Sequence, residues 1–137
     1  MIAPAAPTKV SHNELLKEAS PTLAGHIASS LADPVSDRFA DDDTQFLKFH
    51  GIYQQDDRDK RKVAKQYIFM VRGRLPGGVV TADQYLVFDR LATECGNNTL
   101  RITTRQGFQF HGVVKSGLGK LIKGINDSLS TTVGACG

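Results

Sequence analysis

The sequence predicts an α+β fold: an antiparallel sheet with helices on one face, in the order β-α-β-β-α, preceded by an N-terminal helical and extended arm. Three observations predict it. Tyr67-Ile-Phe-Met-Val-Arg-Gly-Arg74 is an apolar run that turns polar at its C-terminal end, as a buried strand does on reaching solvent. Thr99 to Gly112 alternates polar and apolar residues around a short connection, the pattern of a hairpin. Between and after these lie two stretches with helical spacing, one opened by Thr81 and one with Leu118, Leu121, Ile122, Ile125 and Leu129 on one face.

The elements follow in order. Residues 1 to about 10 are rich in Ala and Pro and are expected to be disordered. Ser11 or Asn13 caps a helix running toward Ala32, interrupted near Pro21. Pro34 to Thr44 reads as a polar connection, and Phe46 to Tyr53 as a strand followed by a charged segment from Gln54 to Lys65. After the strand at Tyr67, Pro76-Gly77-Gly78 makes a turn. Thr81 then caps a helix to about Thr93, with Leu86 and Leu91 in its apolar stripe. The last helix runs from about Gly117 to Leu129. The expected division is an arm over residues 1–45 and a domain over 46–137.

The order from Tyr67 onward is a split βαβ unit without its final strand. A sheet ending there has an unpaired edge, which normally must be covered. A second copy of the chain or another domain is the expected cover.

The hairpin carries the chemistry. Alternate residues of a strand share a face, so Arg101, Thr103, Gln109 and His111 lie on one side and Leu100, Ile102, Phe108 and Phe110 on the other. The expected register sets Arg101 opposite His111 and Thr103 opposite Gln109. It leaves Arg105-Gln106-Gly107 as the connection, with Gly107 at positive φ. A one-residue slip would bury a charge beside Phe110. Two guanidiniums with two further hydrogen-bonding side chains suit a ligand bearing several carboxylates.

Composition narrows the class. The chain has 137 residues and a net charge of +3. That length supports one domain with a modest core. No apolar run approaches a membrane span, and the N-terminus lacks the apolar segment of a secretory signal. Cys95 and Cys136 lie far apart in no metal-binding spacing, so a reducing cytoplasm is expected. From Thr99 to Asn126 there are five Lys or Arg residues and no acid, a basic surface for an anionic partner. Asp56, Asp57 and Asp59 lack the glycine and terminal glutamate of a calcium loop and read as a solvated charged loop.

Four segments together resemble a known family. They are Lys48-Phe-His-Gly-Ile-Tyr-Gln-Gln-Asp-Asp-Arg-Asp59, Phe69-Met-Val-Arg-Gly-Arg-Leu-Pro-Gly-Gly78, Leu100-Arg-Ile-Thr-Thr-Arg-Gln-Gly-Phe-Gln-Phe-His-Gly112 and Gly134-Ala-Cys-Gly137. In that order and spacing the chain resembles the N-terminal ferredoxin-like half-domain of assimilatory sulfite reductase hemoproteins, in the family of siroheme nitrite and sulfite reductases. The Tyr-Gln-Gln-Asp-Asp-Arg-Asp element and the Phe-His-Gly ending lean toward sulfite over nitrite; a ferredoxin-nitrite reductase is the alternative within the family.

The resemblance implies siroheme and a [4Fe–4S] cluster as cofactors and the six-electron reduction of sulfite to sulfide as the activity. It implies Arg72 as the substrate-anion arginine, with Arg74 as its neighbour. Arg101, Arg105, Gln109 and His111 fall on siroheme-contacting positions. It places the cluster cysteines beyond this chain, so that Cys95 and Cys136 are not metal ligands and the chain alone is inactive. The implied partners are the remainder of the reductase, sulfite, and an electron donor, either ferredoxin or a flavoprotein using NADPH. The family's half-domains pair, which gives a homodimer of the isolated piece. No membrane and no nucleic acid are expected as partners.

A reading from another class is an RNA-binding sheet of the RRM type. Arg105 to Phe110 echoes its aromatic strand, and Tyr67 to Val71 would supply the other. The direction of Phe108 and Phe110 decides: buried under helices for the reductase, solvent-facing for base stacking.

Overall fold

The architecture grows outward from Tyr67–Gly73, the central strand of a four-stranded antiparallel sheet in a computed structural model that describes residues 9–135. The elements are α1 (His12–Ala19), α2 (Ile27–Ala32), α3 (Asp41–Phe49), β1 (Ile52–Asp56), β2 (Tyr67–Gly73), a 3₁₀ turn (Pro76–Gly78), α4 (Ala82–Cys95), β3 (Leu100–Ile102), β4 (Phe108–Val113) and α5 (Lys115–Asp127). The strand order is β1-β2-β4-β3. The α+β class and the one-sided helical layer are as the sequence predicts. The Ala/Pro-rich start, up to residue 8, and Cys136 lie outside the described residues.

One face of the sheet is dry. Phe69 and Val71 of β2 and Phe108, Phe110 and Val113 of β4 are buried with Phe88 and Leu91 of α4 and Leu118, Leu121 and Ile125 of α5. Phe88 is the hub, with ring centroids 5.3 Å from Phe108 and 5.4 Å from Phe110. Gly73 faces the same ring, and a Cβ there would come within 2.5 Å of Phe88. Helix α4 starts where expected, on a reciprocal capping box between Thr81 and Gln84.

Several expectations are corrected. Phe46 to Phe49 is helical: α3 begins at Asp41 inside the supposed polar connection, three aspartates stand in its first turn, and Asp43, Phe46 and Leu47 are buried. Negative charge at a helix N-terminus is favourable, so the acidic run starts the helix. The strand begins only at Ile52 and takes in Gln54 to Asp56 from the charged segment.

The edge thought to be missing is present. β1 pairs antiparallel with β2 over five residues, from Ile52↔Val71 to Asp56↔Tyr67. A strand from upstream therefore takes the place the split βαβ pattern leaves open, and the argument for an external cover falls away.

Leu86 and Leu129 are exposed, not core; the α4 stripe is Phe88, Leu91, Ala92 and Cys95, while Leu129 lies beyond α5 with φ 62°. The hairpin register differs by two residues, pairing Leu100↔Phe110, Arg101↔Gln109 and Ile102↔Phe108. A shift of two preserves which face each side chain takes. The left-handed loop residue is Gln106, with φ 63°, not Gly107. Gly107 is needed for space instead, since a Cβ there would lie 2.8 Å from the Gly73 carbonyl oxygen.

The arm is anchored to this frame. Ser11 and Glu14 form a capping box on α1. Phe39 is buried edge-on against Phe69, 5.6 Å between centroids. Lys115, itself buried, donates to the carbonyls of Asp33 (2.9 Å) and Ser36 (2.6 Å). No helix of the described residues is long and apolar enough to cross a membrane.

Candidate anion site on the open sheet face

With helices on one side, the other face of the sheet is left to polar side chains. Arg72 pairs with Gln109, and Gln109 pairs with Arg101, so the three form a row across β2, β4 and β3. His111 is the next residue of β4 on this face. Between Phe69↔Val113 and Val71↔Phe110, β4 carries one residue more than β2, so His111 and Gly112 together face Met70. This bulge, with Gly112 at φ 69°, lets Val113 return to the core while His111 stays on the open face.

His111 is half-buried, and its Nε2 lies 3.2 Å from Gln109 Oε1. In the tautomer with Nε2 protonated it donates to that oxygen. Burial, and secondarily the Arg101 charge, push its pKa below the ordinary histidine value. Neutral imidazole is therefore the favoured form beside these arginines.

A cavity of about 410 Å³ opens beside this row. Arg72, Arg74 and Arg105 line it with Thr103, Thr104, Gln109 and the Pro76-Gly77 turn, and Gly134 and Ala135 close one side. Gly107, without a side chain, leaves room on its floor. No acid lines it. Among the described residues, no carboxylate forms an ion pair with Arg72, Arg74, Arg101 or Arg105. The basic residues of α5 differ: Lys120 pairs with Glu94, Lys123 with Asp127, and Lys115 is buried. The cationic surface read from the sequence thus concentrates on the hairpin and the end of β2.

The structure brings four of the five expected residues close together. Arg72, Arg105 and Gln109 line the cavity, and His111 bonds to Gln109. Arg101 lies across the row from Arg72 and is exposed, outside the cavity lining. Two participants were missed. Arg74, read as a neighbour, lines the cavity in its own right. Tyr53, on β1, places its ring under Arg72, 4.8 Å from the guanidinium carbon to the centroid. The sequence holds no local signal for that contact, since it depends on β1 pairing with β2. Cys95 is buried, and burial raises its thiol pKa, the opposite of what a metal ligand needs. Phe108 and Phe110 are buried under the helices, so the aromatic strand that would stack bases does not face solvent.

A four-stranded sheet carries two helices on one face and, on the other, a cluster of arginines that no carboxylate pairs among the described residues. Residues 62–128 match the Nitrite/Sulfite reductase ferredoxin-like half domain. The chain is 51% identical over 137 residues to the sulfite reductase [NADPH] hemoprotein beta-component of Myxococcus xanthus, covering 96% of this chain and 24% of that protein. It is 48% identical over 135 residues to the protein of the same name in Staphylococcus haemolyticus, covering 94% and 24%. The solved structure of the Mycobacterium tuberculosis NirA protein has the same fold, with a TM-score of 0.74 at 22% identity over 93% of this chain and 26% of that one. The chain belongs to the nitrite/sulfite reductase family, as an N-terminal ferredoxin-like half-domain. It spans about a quarter of the length of the curated relatives it matches.

Proposed function

We propose that this chain is the N-terminal portion of a siroheme- and [4Fe–4S]-dependent sulfite reductase and supplies its contacts to the siroheme carboxylates and to the substrate anion. The observation that carries the reading is the cavity lined by Arg72, Arg74 and Arg105 and by no acid among the described residues. A cluster of like charges without internal counterions is unfavourable unless an anionic ligand completes it. The donor set fits a tetrapyrrole bearing many carboxylates: planar guanidiniums on two strands, an amide between them and a histidine beside it.

In this reading Arg101, Arg105, Gln109 and His111 hold siroheme carboxylates, each charge-assisted pair contributing roughly 1.5–3 kcal/mol when well formed. Arg72 binds the sulfite anion and polarises its S–O bonds, and Arg74 shares the cavity with it. Siroheme and the cluster, when bound, would relay the electrons of the donor protein to the anion in the six-electron reduction. The cluster ligands belong to the rest of the reductase, because the core position of Cys95 does not fit the role. With β1 on the sheet edge, the partner we infer is that remaining chain, in place of a second copy. The half-domain is assigned to residues 46–137 and the arm to residues 1–45, whose described part is anchored through Phe39 and the Asp33 and Ser36 carbonyls. The names of the relatives favour sulfite over nitrite and an NADPH flavoprotein over ferredoxin as donor, and the compartment is the cytoplasm.

The test is sulfite-dependent oxidation of a reduced viologen dye by the product of the intact gene and by this chain alone. Turnover is expected from the first and not the second. Robust turnover by the 137-residue chain, or none by the intact product, would overturn the assignment.

A further inference from the structure

We propose that Tyr53 is the positioning residue of this site, its ring being the platform that fixes the Arg72 guanidinium in the row with Gln109 and Arg101. The inference rests on the reading of the arginine-lined cavity as a polyanion site.

The two side chains meet diagonally across β1 and β2. Tyr53 pairs with Met70, two residues before Arg72 on the same face. That is the spacing at which long side chains reach one another across a sheet. The guanidinium carbon lies 4.8 Å from the ring centroid, inside the range of a cation–π contact. The Nε of Arg72 is buried and makes no hydrogen bond. No polar group therefore orients the guanidinium at that end, and the aromatic face is the contact that holds it there. The backbone reinforces the pairing, because the Arg72 N–H donates to the Gly51 carbonyl at 2.8 Å. Gly51 stands at φ 74°, and a Cβ there would lie 2.4 Å from the Thr132 carbonyl oxygen. One packed turn thus sets the position of both side chains.

A ring holds a guanidinium without neutralising it. A carboxylate in the same place would fix Arg72 as well but would cancel the charge an anion needs. A contact centred on the guanidinium carbon also leaves the two terminal nitrogens free to donate. The phenol oxygen has no part in this role, so the ring face and not the hydroxyl is the functional feature.

The experiment titrates the chain with uroporphyrin, an octacarboxylate porphyrin, by absorbance and fluorescence. Thermal unfolding of every variant checks the fold. With no sulfite present the Arg72 guanidinium is open to a porphyrin carboxylate, so Arg72→Gln is expected to weaken binding about tenfold. Tyr53→Phe is expected to retain affinity and Tyr53→Leu to lose about fivefold to tenfold. Tyr53→Leu on the Arg72→Gln background is expected to cost nothing more. Pentafluorophenylalanine at position 53 keeps the ring's shape and removes its negative face, so it should behave like leucine; this variant decides the matter if Tyr53→Leu does not fold. Full affinity in the fluorinated variant, or additive losses in the double variant, would overturn the role of Tyr53. No binding by the unaltered chain, or none lost in Arg72→Gln, would overturn the polyanion reading itself.

Discussion

Arg72 and Arg101 stand on the two strands that flank β4, and both face the same residue, Gln109. Neighbouring strands lie about 4.8 Å apart, so the backbones of the two arginines are separated by about 10 Å across the open sheet face. Two cations at that distance, with an amide between them, can hold separate carboxylates of one broad ligand.

Loss of either hairpin arginine should weaken the site without harming the fold. Arg101 and Arg105 are exposed and carry no ion pair among the described residues. Arg101→Ala and Arg105→Ala are each expected to change stability by less than about 0.5 kcal/mol. Each should lower affinity for uroporphyrin roughly tenfold or more, the value of one charge-assisted bond. Isothermal titration beside thermal unfolding separates the two effects.

His111 gives the site a pH dependence. Its folded pKa lies below the unfolded value, so the unfolded chain binds more protons in that window and stability rises with pH. Its contribution is fully present above the unfolded value of about 6.5 and is lost as pH falls toward the lower folded value. Urea unfolding at pH 7.5 and pH 5.5 should show a loss at the lower pH that is reduced in His111→Gln. A bound polyanion favours the imidazolium, so uroporphyrin binding should take up a proton near neutrality. Buffer-dependent binding enthalpies would reveal that uptake.

The closeness of β2 to α4 is a packing constraint that a single methyl group breaks. Gly73→Ala places a carbon 2.5 Å from the Phe88 ring, which is wedged between Phe108 and Phe110. The expected cost is about 1–3 kcal/mol, read from the midpoint of urea unfolding. Gly77→Ala is a useful control for bulk, because a Cβ there meets nothing within 4 Å, although its φ of 62° still favours glycine.

Lys115 links the arm to the half-domain. Lys115→Met keeps the apolar stem but leaves the Asp33 and Ser36 carbonyls without their donor. The expected loss is about 1–3 kcal/mol. Proteolysis should then cut the segment between α2 and α3 faster, while the helices and strands of the half-domain stay protected.

Much of this was legible in the sequence. The apolar run at Tyr67, the Thr81 cap and the alternation of the hairpin gave β2, α4 and the shared face of Arg101, Gln109 and His111. Parity alone cannot distinguish Arg101 opposite His111 from Arg101 opposite Gln109, because both put the same side chains outward. The loop decides between them, and it uses Gln106 in a conformation expected of glycine. The strand Gln54 to Asp56 was hidden because its side chains are polar and its strand character comes from pairing with β2. Tyr53 was missed for the same reason. Phe46 to Phe49 misled because aromatic residues favour strands, whereas burial of Phe46 and Leu47 on one side of a helix outweighed that preference.

The most direct test of the central claim is the Soret absorbance per protein of the intact gene product, purified with its Arg105→Ala and Arg72→Gln variants. The account expects a Soret band in the unaltered enzyme and a lower one in Arg105→Ala, with sulfite turnover falling further than siroheme content in Arg72→Gln. A band equal in all three, with turnover unchanged, would contradict the assignment of this cavity to siroheme and its substrate.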